Sequence, residues 1–423
     1  MRIIDVKNID STLESLRPRP NDKLEKKVAS IIKDVKQRKD EALREYERRF
    51  SKANLRSFRV TREEIKNSYK HVTKDQIEAI KIARERLARS ENLIKKQLQN
   101  VTLTNDGIKI EKIFSPLESV ACYIPGGKAR YPSTVVMSVV PAKVAGVKRI
   151  VAVSPANEKG TVDPLTLVAA HICGVDEFYK IGGAQAIAAL AYGTQSIPRV
   201  DKIVGPGGMF VTLAKSILSN VVSIDMVAGP TELAIIADSS ADPNIVAIDL
   251  ISQAEHSTDT TCCLITNSKP LKEDVIKSLS KRIDFVPRSA IVKESFKNNG
   301  FIAICKTEPQ MIDLANKLAP EHLQIMTRNS QNMAKKIRSA GLVLVGQNTP
   351  SSASDYLLGS NHVLPTSGFG KTRGSLSVLD YMKLQTRVES SKKSLEMISK
   401  YMKALTDAEG LPNHYEAVRW RTR

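Results

Sequence analysis

Gln253 and His256 are the first side chains in this sequence whose types and spacing suit chemistry. Residues three apart on a helix lie on one face, so an amide oxygen and an imidazole nitrogen here could bind one zinc ion. A helix is predicted before them because Asp242 and Pro243 suit its first positions. In isolation, such a pair more often marks an ordinary helix end, where a histidine interacts favourably with the helix dipole. Whether the pair binds zinc or only marks a helix end depends on which other side chains lie near it.

Carboxylates and histidines occur together again later in the chain. Glu321 and His322 are adjacent in a predicted loop, and both are plausible bases, although a surface loop is the plainer alternative. Two further pairs follow, Asp355 with His362 and Glu409 with His414. The first of them lies in a long polar segment, residues 346–374, and loops of that length are usually functional or disordered. The second half of the chain therefore holds the candidate ionisable groups.

Glycine-rich turns occupy the first half of the chain. They are Gly126-Gly127, Gly182-Gly183 and the run from Gly205 to Gly208. Each follows a predicted strand, and parallel sheets bind ligands beyond the carboxyl ends of their strands. No Gly-x-Gly-x-x-Gly motif is present, so a dinucleotide would have to be held without that motif. Taken alone, these glycines indicate tight turns.

Alternating strand and helix patterns must position these groups. The apolar run at residues 233–237 predicts a strand buried on both faces, and strands at residues 120–124 and 149–153 alternate with predicted helices. Amphipathic helices are predicted at residues 25–50, 73–98 and 390–405. The fold class expected is α/β, with two doubly wound, incomplete Rossmann-like parallel-sheet domains, a helical N-terminal region and a C-terminal tail.

Composition argues against several other classes of protein. Of 423 residues, 42% are hydrophobic and 26% are charged, as in ordinary globular proteins, and no apolar stretch suggests export or a membrane span. Five cysteines without metal-binding spacing look like reduced core residues, so a cytoplasmic protein is expected. The net charge of +19 is concentrated in the first 100 residues, where acidic and basic residues alternate. This pattern is typical of solvated helices and does not favour nucleic-acid binding.

The region from Ile224 to His256 resembles the signature of the histidinol dehydrogenase family. The other matching motifs are, in order, Tyr123–Gly127, Gly182–Ile187, Ala319–Leu323, Asp355 with Ser360–Pro365, and Glu409–His414. Several motifs in register across nearly the whole chain make the resemblance specific. Enzymes of this family oxidise L-histidinol through an aldehyde to L-histidine, with two hydride transfers to NAD, in the last steps of histidine biosynthesis.

The resemblance implies a zinc site and a pair of catalytic bases. The zinc ligands implied are Gln253, His256, Asp355 and His414, a set of nitrogen and oxygen donors that suits zinc. In family members, the imidazole and amine of the substrate complete the zinc shell, so the metal orients the substrate. His322 is expected to remove the hydroxyl proton as hydride leaves. Glu321 is expected to activate the water that attacks the aldehyde.

Substrate, NAD and subunit contacts also follow from the resemblance. The substrate contacts implied are Thr231, Gln253, His256, His322, Asp355, His362, Glu409 and His414. Thr231 stands where serine is common. NAD is expected to contact Tyr123, Gln185 and Gly208, although an asparagine is usual at the position of Gly208. Family members supply the ligand matching His414 from the second subunit, so a homodimer with His414 contributed across the interface is expected.

Four regions are expected on this basis. They are an N-terminal arm at 1–24, a zinc and catalytic α/β domain formed by 25–115 and 233–375, an NAD-associated α/β domain at 116–232, and a dimer-forming helical tail at 376–423. Two other activities remain open. A related zinc and NAD enzyme could oxidise another small polar alcohol, and a zinc hydrolase would produce no NADH.

Overall fold

The computed structural model describes residues 1–5, 22–126 and 130–423. In chain order, the strands are β1 (Arg2–Asp5), β2 (Val101–Asn105), β3 (Ile108–Pro116), β4 (Ser119–Tyr123), β5 (Arg149–Val153), β6 (Glu177–Tyr179), β7 (Lys202–Val204), β8 (Ser223–Ile224), β9 (Glu232–Ala237), β10 (Thr261–Thr266), β11 (Phe301–Ile304), β12 (His322–Met326), β13 (Leu342–Val345) and β14 (Met382–Ser390). Most of the expected N-terminal arm, together with Gly127, lies outside the described residues.

Helices connect and cover these strands. In chain order, they are α1 (Asp22–Arg38), α2 (Asp40–Phe50), α3 (Arg62–Ser68), α4 (Lys74–Gln97), α5 (Pro132–Ala145), α6 (Pro164–Cys173), α7 (Gly183–Tyr192), α8 (Met209–Leu218), α9 (Pro243–Ala254), α10 (Lys269–Arg282), α11 (Ser289–Asn298), α12 (Glu308–Leu318), α13 (Ser330–Ala334), α14 (Ser351–Ser354), α15 (Lys392–Ala408) and α16 (Pro412–Thr422). Among the described residues, none of these helices is both long and apolar enough to cross a membrane.

Two parallel sheets form the framework of the molecule. The five-stranded sheet has the order β6-β5-β4-β7-β8, and the six-stranded sheet has the order β1-β11-β10-β9-β12-β13. Counted along the chain from its first central strand, each unit follows the order 3-2-1-4-5 of a Rossmann-like sheet, to which the six-stranded sheet adds β1 at its edge. The predicted α/β fold class with two doubly wound, incomplete Rossmann-like units is therefore confirmed.

The predicted central strand and helix of the second unit form as the local sequence indicates. Leu233 to Ala237 are all buried in β9, which has a strand on either side, so an unbroken apolar run suits this position. At the start of α9, the side chain of Asp242 accepts a hydrogen bond from the amide of Asn244 at 2.8 Å, and Pro243 occupies the first turn. Strand β9 and helix α9 therefore position Gln253, near the end of α9, and His256, which follows it.

The N-terminal helices pack against the five-stranded sheet, which differs from the expected grouping of 25–115 with 233–375. Val28 and Leu43 share a core with Ile187 of α7 and Val211 of α8. On the other face, Leu87 of α4 shares a core with residues of α5. A sheet wound on both sides exposes two apolar layers of helices, and these amphipathic helices cover them. The helix expected at 25–50 is also broken at Lys39, whose φ is 56°.

Two groups of strands have no counterpart in the sequence-based prediction. β1 pairs in parallel with β11, so Arg2 lies beside Phe301 at the edge of the six-stranded sheet. β14, β3 and β2 form an antiparallel sheet. Strand β14 lies near the start of the C-terminal tail, before the predicted helix, which is found here as α15. Formation of these strands depends on partners elsewhere in the chain, so local patterns identify them poorly.

Candidate functional site

A cleft of about 340 Å³ opens between the two parallel sheets. On one side it is lined by Pro125 and the run Gly205–Gly208, which follow β4 and β7 of the five-stranded sheet. This is the point where the strand order reverses, the usual ligand position in such sheets. On the other side lie Thr231 and Glu321, which precede β9 and β12 of the six-stranded sheet. The cleft therefore joins the carboxyl edge of one sheet to the amino edge of the other.

Glu321 and His322 lie together at the base of this cleft, at the start of β12. Both side chains are buried, with 7% and 2% of their surface exposed. The carboxylate of Glu321 accepts hydrogen bonds from the hydroxyl of Thr231 and, at 2.8 Å, from the amide of Glu232. Burial raises the pKa of Glu321, opposed by the charge of His322 and by these hydrogen bonds. Glu321 and His322 are therefore buried in the cleft and do not form the surface loop that was the plainer alternative. Both remain catalytic candidates.

The imidazole of His322 is held from both sides. Its Nδ1 lies 3.2 Å from the carbonyl oxygen of Glu232, which can only accept, so Nδ1 carries the proton. Its Nε2 lies 3.3 Å from a carboxylate oxygen of Asp355. Burial alone would lower the pKa of His322, but the charges of Glu321 and Asp355 raise it to about 9. The arrangement directs one defined nitrogen, Nε2, toward the cleft.

Gln253 and His256 enter the cleft from the end of α9. Gln253 is buried, and its amide nitrogen donates to the hydroxyl of Thr231 at 2.8 Å, so its carbonyl oxygen is the atom available to a metal. His256 follows the helix end and lines the cleft with an exposed side chain. Together with Asp355, these residues bring three nitrogen or oxygen donors to one cavity, a set compatible with zinc.

Asp355 and His362 come from the long polar segment at residues 346–374, which the sequence left as either functional or disordered. Nδ1 of His362 donates to the carbonyl of Asp355 at 2.8 Å, and Nε2 lies 3.3 Å from the hydroxyl of Thr134. Burial lowers the pKa of His362, opposed by the carboxylate of Asp355. Thr134 belongs to α5 of the five-stranded unit and lay outside the sequence-based candidates. A hydroxyl in the first turn of a helix after a glycine turn would have been the only local signal for it.

Glu409 and His414 do not line the cleft of their own chain. Glu409 ends α15 and His414 lies in α16, and both side chains are exposed. Within the described residues of a single chain, no set of three His, Cys, Asp or Glu side chains is placed to hold a metal ion. The described residues that line the cleft thus include none from the tail of the same chain.

Comparison with known proteins gives a consistent result over the whole length of the chain. The family model for histidinol dehydrogenase matches residues 16–422. Histidinol dehydrogenase from Methanocaldococcus jannaschii is 42% identical over 394 residues, covering 93% of this chain and 91% of that protein. The enzyme from Caldanaerobacter subterraneus subsp. tengcongensis is 44% identical over 404 residues, covering 95% and 93%. The chain belongs to the histidinol dehydrogenase family. It is therefore an oxidoreductase.

A solved histidinol dehydrogenase has the same fold. The crystal structure of the enzyme from Elizabethkingia anophelis superposes with a TM-score of 0.93 at 33% identity, and covers 100% of this chain and 98% of that one. The agreement extends over both wound units and the tail, because the whole of this chain is covered. The resemblance recognised in the sequence is therefore confirmed.

Within this histidinol dehydrogenase fold, two of the expected NAD contacts are buried. The hydroxyl of Tyr123 accepts a hydrogen bond from the amide of Gly183 at 3.0 Å. The amide of Gln185 donates to the carboxylate of Glu47 at 3.0 Å, and only 2% of the Gln185 surface is exposed. Neither Tyr123 nor Gln185 is among the described residues that line the cleft, whereas Gly208 is.

Glu47 also closes the glycine turn at the start of α7. Its carboxylate accepts the amide of Gly182 at 3.1 Å, where the helix has no capping side chain of its own. Burial raises the pKa of Glu47, opposed by the hydrogen bond from Gly182. A protein carboxylate thus occupies the helix end that could otherwise attract an anion. The sequence offered no sign of this contact, because Glu47 lies in an N-terminal helix more than a hundred residues away.

A buried ion pair shapes the glycine run that lines the cleft. Lys215 and Asp225 contact each other with 3% and 1% of their side chains exposed. Lys215 donates to the carbonyl of Gly205 at 2.9 Å, and Asp225 accepts from its amide at 2.7 Å. Gly205 has a φ of 109°, and an added Cβ would clash with the carbonyl oxygen of Tyr123, so glycine is required. Neither Lys215 nor Asp225 was among the candidate site residues predicted from the sequence.

Proposed function

We propose that this cleft oxidises L-histidinol through L-histidinal to L-histidine, the last two steps of histidine biosynthesis, with NAD as the electron acceptor. The observation that carries the proposal is the buried pair of Glu321 and His322 in the same cavity as the donors Gln253, His256 and Asp355. A base beside a metal-ligand set suits the oxidation of an alcohol that also carries nitrogen ligands. The names of the relatives agree with this substrate.

The zinc ion is proposed to bind to Gln253, His256 and Asp355 of one chain and to His414 of a second chain. When bound, zinc would hold the imidazole and amine of the substrate and so orient its hydroxyl. The cavity offers the right donor atoms, because the Gln253 amide nitrogen is already bonded to Thr231 and its oxygen is the remaining donor. Thr231 and His362, which line the same cavity, are proposed substrate contacts.

The proton transfers are assigned to His322 and Glu321. Nε2 of His322 lies 3.3 Å from the Asp355 carboxylate, whose charge helps to raise the pKa of His322. Binding of Asp355 to zinc would offset this charge, so that Nε2 could accept the hydroxyl proton as hydride transfers to NAD, and the hydrogen bond to the Glu232 carbonyl would keep Nδ1 protonated. In the second step, the carboxylate of Glu321 takes a proton from the water that attacks the aldehyde. NAD is proposed to lie along the carboxyl edge of the five-stranded sheet, where Tyr123 ends β4, Gln185 lies in the first turn of α7 and Gly208 precedes α8.

A homodimer is proposed to complete each active site. Glu409 and His414 are exposed and lie outside the cleft of their own chain. The tail that carries them also exposes large apolar side chains, with Tyr401 at 61%, Leu405 at 62% and Trp420 at 66%. Such a surface is typical of a protein interface. We propose that these tails exchange, so that Glu409 contacts substrate and His414 binds zinc in the partner's cleft. The enzyme is also proposed to be cytoplasmic, where its five buried, free cysteines remain reduced.

One assay tests this proposal directly. Purified protein is mixed with L-histidinol, NAD and zinc, and NADH is followed by its absorbance. Two NADH per histidinol, with histidine as product, are expected. NADH from other small polar alcohols but not from histidinol would indicate a different dehydrogenase, and hydrolysis without NADH would indicate a zinc hydrolase. Removal of zinc by a chelator should abolish turnover but preserve the circular dichroism spectrum, because the ligands are placed by packed elements.

A further inference from the structure

Glu232 is a charged residue at the start of a strand that is otherwise apolar. It precedes Leu233 to Ala237 of β9, all of which are buried. It is not among the described residues that line the cleft, although its neighbours Thr231 and Glu321 are. A carboxylate that is only partly exposed to solvent needs hydrogen-bond partners, since removing one from water without them is costly. Its partners are the two loops that form the base of the active site.

The carboxylate of Glu232 joins these two loops. One oxygen accepts from the amide of Glu321 at 3.2 Å, and the other accepts from the amide of Ser367 at 2.9 Å. Both amides adjoin unusual backbone, since Ala319 has a φ of 47° and Ser367 itself has a φ of 57°. Residues other than glycine adopt this conformation only where the surroundings hold them. The carboxylate is therefore placed to hold the two loops in register.

The main chain of Glu232 contacts the catalytic side chains themselves. Its amide donates to the carboxylate of Glu321 at 2.8 Å, and its carbonyl accepts from Nδ1 of His322 at 3.2 Å. Glu232 thus contacts the backbone amide of Glu321, the carboxylate of Glu321 and Nδ1 of His322. These contacts orient both side chains and leave Nε2 of His322 facing the cleft. Its position relative to β12 is set by parallel pairing, in which Leu233 aligns with His322.

We propose that Glu232 is a positioning residue, which acts through Glu321 and His322 and holds both in catalytic geometry. The proposal rests on the assignment of these two residues as the catalytic bases. It differs from a purely structural role, in which the carboxylate would only stabilise two loops. Small displacements of a base reduce turnover strongly and affect substrate binding less, because most of the proposed binding groups, such as His256, Asp355 and His362, are carried by other elements.

The test compares Glu232→Gln with Glu91→Gln. The first substitution keeps the size of the side chain but turns one of its two acceptors into a donor, which then faces a backbone amide. Glu91 is a matched control, since its carboxyl also accepts a backbone amide, that of Val378 at 2.6 Å, and it does not line the cleft. For Glu232→Gln, kcat should fall by roughly 10–100-fold while KM for histidinol, zinc content and thermal midpoint stay near wild type. Glu91→Gln should keep kcat.

Two further measurements complete the test. Glu232→Asp, which retains both acceptor oxygens on a shorter side chain, should have a kcat between those of Glu232→Gln and wild type. A crystal structure of Glu232→Gln should show Glu321 and His322 displaced, and this readout does not depend on which substrate is oxidised. Unchanged positions, unchanged kcat, an equal loss in Glu91→Gln, or failure of both Glu232 variants to fold would each overturn the proposal. Wild-type enzyme that is inactive with histidinol would instead count against the proposed function.

Discussion

The hydroxyl of Thr134 lies 3.3 Å from Nε2 of His362 and so connects the two wound units across the cleft. Thr134 belongs to α5, which covers the five-stranded sheet, whereas His362 belongs to the polar segment that follows the six-stranded sheet. Because Nδ1 of His362 donates to the carbonyl of Asp355, Nε2 is the acceptor and the threonine hydroxyl is the donor. The carbonyl of Asp355 thus fixes the tautomer of His362, a proposed substrate contact, and Thr134 donates to the nitrogen left unprotonated.

Replacement of this hydroxyl should weaken catalysis. In Thr134→Val the shape of the side chain is nearly kept, but the donor to His362 is lost. We expect kcat/KM for histidinol to fall roughly tenfold, the effect of about 1.4 kcal/mol from one hydrogen bond. Thr134→Ser keeps the hydroxyl and serves as the control. Similar kinetics for the valine and serine variants would show that the contact has no role in turnover.

Glu321 and His322 should be separable by the two half-reactions. Glu321→Gln should slow the oxidation of histidinal more than that of histidinol, because the general base is needed only where water attacks. His322→Asn should slow both steps. Loss of a general base costs roughly 10²–10⁴-fold in the step that it serves. Single-turnover measurements with each substrate would show this difference, and equal impairment of both steps in Glu321→Gln would contradict the assignment.

A mixing experiment tests whether the tails are exchanged. His414→Ala and Glu321→Gln chains should each be inactive as homodimers. In a mixed dimer, one cleft combines an intact Glu321 from the first chain with an intact His414 from the second, so activity should return. Size-exclusion chromatography and differently tagged chains would establish that mixed dimers form. If mixed dimers form and remain inactive, His414 serves the cleft of its own chain.

The buried carboxyl of Glu91 should make stability depend on pH. Burial, with a smaller effect from Asp380, raises the pKa of Glu91 from an ordinary 4.5 to about 7. The native state then keeps a proton that the unfolded chain has already lost, so this residue reduces stability progressively as the pH rises from about 4.5 to about 7. The full effect is on the order of 3 kcal/mol.

Glu91→Gln removes this ionisation but keeps an acceptor for the amide of Val378. The variant should therefore have nearly the same thermal midpoint as wild type at pH 5 and a higher one at pH 8. Calorimetry at the two pH values measures the difference. An equal shift at both would mean that the change acts through packing and not through the carboxyl proton.

The sequence by itself determined the wound units and most of the candidate chemistry. The strand Arg149–Val153 and the start of α9 at Pro243 form where short-range patterns place them, because burial of an apolar run and helix capping are local effects. The family resemblance, carried by motifs around Gln253, Glu321 and Asp355, also required no coordinates. The structure brings these three residues into one cleft.

Only the tertiary structure decided which edges of the two sheets face each other. Local patterns suggested ligands at carboxyl edges, yet Glu321 and His322, the proposed catalytic pair, lie at the start of β12 at an amino edge, opposite the glycine run Gly205–Gly208. The hydrogen bonds made by Glu47, Thr134 and Lys215 also could not be predicted from the sequence. Their partners are distant in sequence or on the far side of a turn. Such contacts arise from the packing of separate elements, and the energy of a hydrogen bond or ion pair depends on burial that no local pattern encodes.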